Sequence, residues 1–262
     1  MGTALKVFRY ETRNVLRGRA ILGYGLFFLV AVLGLMRMGG GLERALPSLA
    51  NVILLAVPLV SVVFTTVFLY DGRPFNELLL SQPVARRDLF LGLYLGLTLP
   101  LGGAFLLGAG IPLVAAGGAG VLVGSGGMLL AAGLLLTAVF TALGFVVAFS
   151  VDEPARGLGA ALLLWLLVTV VYDGVVLLAS HTFSAYPLER PMLAAMVLNP
   201  VDLARLLALI SVDASALLGY TGAVFQDFFG GALGISISMA ALGAWVAGPY
   251  LLALRRFRRM DF

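Results

Sequence analysis

An all-α protein that crosses a membrane six times is the fold this sequence predicts, on three observations. The 262 residues are 61% hydrophobic and 11% charged, with a mean hydropathy of +1.06, whereas a soluble globule uses about 25% charged residues to cover its surface. Six apolar runs, at 20–36, 50–70, 89–116, 126–150, 157–180 and 231–254, match the roughly 17–25 residues a helix needs to cross about 30 Å of hydrocarbon. The basic residues gather at the ends of these runs. Lys6, Arg9, Arg13, Arg17 and Arg19 precede the first; Arg73, Arg86 and Arg87 lie between the second and third; Arg156 lies between the fourth and fifth; Arg255, Arg256, Arg258 and Arg259 follow the sixth. That puts thirteen on one side of the membrane against four on the other, Arg37, Arg44, Arg190 and Arg205. The positive-inside rule then places both termini in the cytoplasm of a bacterial-type inner membrane.

The chain is predicted to be a single transmembrane domain over 1–262. Residues 1–18 hold an amphipathic leader, with Leu5, Phe8, Thr12, Val15 and Leu16 on one side and Lys6, Arg9, Arg13, Asn14 and Arg17 on the other. It is too short and too basic to span, so it is expected to lie in the membrane interface. Residues 71–88, DGRPFNELLLSQPVARRD, are polar and turn-forming, with a short helix expected from Glu77 between the breakers Pro74 and Pro83. On the opposite side, residues 117–127 are uncharged and glycine-rich, which predicts a tight turn. The Asp152–Arg156 stretch makes a short cytoplasmic turn. Residues 181–230 are too apolar for a disordered loop. Helical stretches at 193–198 and 201–210, broken by Asn199-Pro200, and an aromatic stretch at 220–229 predict interfacial or re-entrant helices.

Several chemistries are excluded by what the chain lacks. Without cysteine it has no disulfide, zinc-thiolate or iron–sulfur site. Its one lysine, Lys6, lies in the leader, so an ATP-binding loop of the G-x-x-x-x-G-K-[ST] type is ruled out. One histidine, His181, is too few for a metalloprotease cluster. The basic residues flank spans and form no nucleic-acid stripe. Asp173 is the acid inside a predicted span, and it should face the bundle interior. Two readings stay open there: a substrate or proton contact, or a carboxyl hydrogen-bonded to Tyr172 or a neighbouring helix. Met36, Met38, Met192, Met196 and His181 collect on the outer side. Thioethers with an imidazole suit transient Cu(I), although methionines at helical spacing more often pack.

The leader, six spans, polar segment between spans two and three and long outer segment resemble the ABC-2 type permeases. FNELLLSQPVARRDLFLG is similar to that family's E-x-x-x-L-L-x-x-P-x-x-R-x-x-x-x-x-G pattern through Glu77, Leu80, Pro83, Arg86 and Gly92. The resemblance implies that this segment, including Arg87, is a coupling helix meeting a separate ATPase that carries the ATP and magnesium. This chain would then be a non-catalytic membrane subunit. Arg73-Pro74-Phe75-Asn76 departs from the acidic and glycine residues more usual there.

A narrower likeness is to permeases of transporters that mature the copper sites of nitrous-oxide reductase, carried by LNPVDLARLL at 198–207 and by Asp173. It implies a homodimer with two ATPases and an extracytoplasmic β-helix protein, with a copper chaperone as a further partner. Asn199, Pro200, Asp202 and Arg205 would be its docking surface. The alternatives left open are an exporter of lipid or drug-like substrates and a stand-alone channel or proton-coupled carrier using Asp173.

Overall fold

The computed structural model describes residues 3–75, 85–183, 189–211 and 232–259, and every regular element among them is helical. In order these are α1 (Thr3–Arg17), α2 (Arg19–Gly39), α3 (Leu42–Asp71), α4 (Arg86–Gly117), α5 (Ser125–Ala148), α6 (Pro154–Thr182), α7 (Glu189–Val197), α8 (Pro200–Ser211) and α9 (Ala232–Arg259). Six of them, α2, α3, α4, α5, α6 and α9, are long and apolar enough to cross a membrane. The six predicted spans are therefore present.

Their boundaries differ from the hydropathy reading in one instructive place. The second span begins at Leu42 and not near residue 50. Gly40 and Gly41, at φ 74° and 140°, reverse the chain directly after α2, in backbone conformations that favour glycine. Helix resumes at once, and Glu43 and Arg44 in its first turn hide that turn from a hydropathy count. At the far end of α4, residues 117–127 form the compact turn expected of them. It contains a 3₁₀ segment, Ala119–Leu122.

The interior is built from α3, α4 and α5, which carry most of the buried side chains, Phe105, Leu136 and Phe140 among them. Near the end that carries the C-terminal arginines, Phe90, Phe145, Phe149, Tyr250 and Phe257 form a ring cluster with centroids 5.0–6.3 Å apart. Edge-to-face pairs of this kind add to burial. They join α4, α5 and α9 at what we call the basic end.

α1 lies along α4 as an amphipathic helix, and its buried side is rotated from the predicted one, sharing Val15 with it. Val7, Glu11 and Val15 face inward, whereas Leu5 and Leu16 are about half exposed. The physical reason lies on α4. A Cβ at Gly92 would stand 2.8 Å from Val7 Cβ, and one at Gly96 would stand 2.7 Å from Glu11 Cβ. The missing side chains let the two backbones approach closely, and that contact selects the face.

α6 is the most exposed span. Leu163, Leu167, Leu177 and Leu178 are each more than half exposed. Its regular winding is interrupted by a π turn at Leu167–Val171, after which Asp173 opens the final stretch.

Candidate functional site

Two polar nodes sit at opposite ends of the bundle, and each ties elements that are distant in sequence. The far node is built where α8 meets α6. Asn199 precedes α8, with Pro200 as the first helical residue, an arrangement suited to a helix start. The Asn199 Oδ1 accepts a hydrogen bond from the Val201 N–H at 2.9 Å, and its Nδ2 donates to the Val168 carbonyl at 2.9 Å, inside the π turn of α6. Single π turns are often found at functional positions. Here the turn's carbonyl receives a side chain from another helix.

One helical turn into α8, Arg205 reaches two carboxylates. Its Nη2 donates to Asp173 Oδ2 at 2.6 Å and its Nη1 to Asp202 Oδ1 at 3.0 Å. Tyr172 adds a hydrogen bond from its hydroxyl to the Ala195 carbonyl at 2.6 Å, which brings α7 into the same node. Two acids share one guanidinium, so one charge is in excess. Burial pushes the Asp202 carboxyl up to about 7; Arg205 opposes this shift and the nearby Asp173 carboxyl adds to it.

Asp173 faces inward as expected, and its partner is Arg205 of the neighbouring α8. The residues expected to form a docking surface are also turned inward. Asn199 and Asp202 are 2% and 6% exposed, Pro200 is buried and Arg205 is half-buried. Among them, Asn199 and Arg205 fasten α8 to α6.

The second node lies at the basic end around Arg73, which in the sequence stands out as one of the thirteen basic residues that set the topology and as a departure from the family-like pattern. Arg73 Nη1 donates to the Asp152 carbonyl at 2.7 Å, and its Nη2 donates to the carbonyls of Ala148 and Val151 at 3.1 Å. Its guanidinium also lies 4.5 Å from the centre of the Tyr70 ring, and the Tyr70 hydroxyl donates to Val151 at 2.7 Å. The last carbonyls of a helix have no partner within it. From just beyond α3, Arg73 supplies a donor to the last of these in α5, that of Ala148, and further donors to Val151 and Asp152 in the turn that follows. An arginine after one span, opposite the open end of another, was the available signal. At Gly157 a Cβ would collide with the Tyr70 hydroxyl, so α6 can start beside this node only with glycine there.

Arg86 belongs to the same end. It is half-buried and its Nη1 donates to the Arg258 carbonyl near the end of α9 at 3.0 Å, while Arg87 is exposed. Tyr10 of α1 stacks on Phe75 with centroids 5.1 Å apart, linking α1 to the start of the polar segment. Close by, burial raises the Glu11 carboxyl above its ordinary value, and a hydrogen bond with Asn14 partly offsets this. Glu77, Leu80 and Pro83 lie outside the described residues, as does the aromatic stretch 220–229.

The candidate copper ligands are spread over three helices. Met36 and Met38 end α2, His181 lies in the last turn of α6 and Met196 on α7. Met38 and His181 are exposed and Met36 packs against the core. The side chain of Met192 lies outside the described residues. No group of three His, Asp or Glu able to hold a metal ion occurs among the described residues.

Comparison with known proteins gives one family. The model of the ABC-2 family transporter proteins matches residues 76–262. Two relatives match over nearly their whole length, both called "Probable ABC transporter permease protein NosY". The one from Stutzerimonas stutzeri is 29% identical, with 99% of each chain covered. The one from Pseudomonas aeruginosa is 30% identical, with 97% of each chain covered.

Proposed function

The chain belongs to the ABC-2 family of transporter proteins, and on that premise we propose that it passes the motion of a separate ATPase to its outer helices, in the service of copper-site maturation of nitrous-oxide reductase. The observation that carries this reading is the far node. Arg205, Asn199 and Tyr172 tie α8 and α7 to α6 through three hydrogen bonds that bridge the π turn and the residues after it. Displacement of the fifth span would therefore carry the outer pair with it. At the other end, Arg73 and Arg86 join the two flanks of the polar segment to the ends of α5 and α9. A push on that segment reaches four spans at once.

Two copies of the chain with two ATPases complete the proposed assembly. An extracytoplasmic β-helix protein, and a copper chaperone that supplies it, would receive the motion. The exposed apolar face of α6 supports pairing of two copies. A stand-alone proton carrier would need Asp173 free to exchange its proton, and the short ion pair with Arg205 favours the coupling reading instead.

The test uses the chain co-purified with its ATPase and, in parallel, the copper content of nitrous-oxide reductase in the host. Arg205→Leu should leave the ATPase stimulated and lower copper loading severalfold, whereas Arg73→Ala should reduce both. Full copper loading in Arg205→Leu sinks the proposal.

A further inference from the structure

A groove of about 480 Å³ runs between α2 and α4, with one end closed by α1. Its walls include Leu22 and Leu26 from one helix and Leu107 and Ile111 from the other, all more than half exposed. Leu99 and Ile111, which both line it, are twelve residues apart on α4. That is about 18 Å of helix at 1.5 Å per residue, close to the roughly 15 Å of hydrocarbon in one leaflet. Gly103 also lines the groove, and a Cβ there would meet nothing within 4 Å. This glycine is not needed for any described helix to approach, and its effect is to widen the space.

The end of the groove at α1 is lined by Thr12 and Leu16. Arg13 and Arg17, next to them in α1, are exposed, as is Arg19 at the start of α2, and none of the three pairs with a described acid. The one acid of α1, Glu11, is turned away into the contact with α4. The groove thus joins an apolar slot one leaflet deep to a positive mouth, without a counter-charge among the described residues, at the level of the headgroups.

We propose that the groove holds one acyl chain of an anionic phospholipid, with its phosphate between Arg13 and Arg17. The arginines at the mouth and the one-leaflet length of the apolar slot both point to this occupant. The bound lipid would pack α1 against α2 and α4, and so hold the interfacial helix in its place. The inference rests only on the chain lying in a membrane and is independent of the proposed function.

The test places the full-length chain in nanodiscs of equal phosphatidylglycerol and phosphatidylcholine and counts the lipids retained per chain by native mass spectrometry. The wild type should retain a phosphatidylglycerol. Gly103→Leu, which fills the groove from an open position, should lose it. Should that variant fold poorly, Leu107→Trp fills the groove from its exposed wall. Arg13→Gln and Arg17→Gln should each lower the preference for phosphatidylglycerol roughly fivefold, the equivalent of about 1 kcal/mol per charge. Unchanged retention in a folded groove-filling variant overturns the proposal, and so does retention without headgroup preference in the wild type. The natural chain has no cysteine, so a Leu107→Cys variant reports directly on the other occupant. An efficient disulfide between two copies would show that protein covers the groove, and would also overturn it.

Discussion

Arg205 is the residue on which the far node depends, because its one guanidinium is shared by two carboxylates that would otherwise repel each other in a part-buried place. Its role was not legible in the sequence. It counts there as one of four basic residues on the outer side, and only the folding of α8 onto α6 brings it to Asp173. Asp173 itself was legible, since an acid within an apolar run must face the interior and find a partner. The node makes stability depend on pH. Asp202 holds its proton more tightly in the folded chain than in the unfolded one, so the folded state is favoured at low pH and loses this contribution as pH rises through about 7. Glu11, raised by burial, acts in the same sense. Purified protein should melt at a higher temperature at pH 6 than at pH 8, and Asp202→Asn should flatten that difference. An identical pH profile in the variant would assign it to other groups.

Among the elements, α1 carries the clearest contrast between periodicity and packing. The alternation of basic and apolar residues identified an amphipathic helix, but periodicity could not say which shoulder of the apolar side is buried. Gly92 and Gly96 decide that by opening α4 to Val7 and Glu11. Gly92 is also the glycine of the family-like pattern that follows the polar segment, and its described contact is with α1. Gly92→Leu should cost about 1–3 kcal/mol through overpacking and loosen α1. Limited proteolysis should then cut between α1 and α2 faster than in the wild type; equal cleavage rates would mean that the contact contributes little. α6 makes the complementary point. Its length was plain from hydropathy, whereas the π turn at Leu167–Val171, with its carbonyl given to Asn199, left no mark in the composition of the run.

At the scale of the whole molecule, the distribution of arginines predicts that the ends of α3, α5 and α9 nearest Arg73, Arg86 and Arg258 share the cytoplasmic side with α1. The contacts of Arg73 and Arg86 place those ends together in space, as that topology requires. In the cysteine-free chain, Arg259→Cys should react with an impermeant thiol reagent only from the cytoplasmic face, and Val123→Cys, 93% exposed in the turn between α4 and α5, only from the opposite one. Labelling of both from one side would exclude an arrangement in which α4 and α9 cross as proposed. By itself the sequence determined the class of protein, the number of spans and the elements that lie between them, because water and hydrocarbon partition side chains by composition and length, and both are written in order along the chain. The tertiary structure alone decided which polar groups meet. Asn199, Asp202 and Arg205 face inward to α6, and Arg73 closes the end of α5, because a buried donor, acceptor or charge must find a partner. That partner can come from a segment 30 to 80 residues away, a distance across which no local pattern carries information.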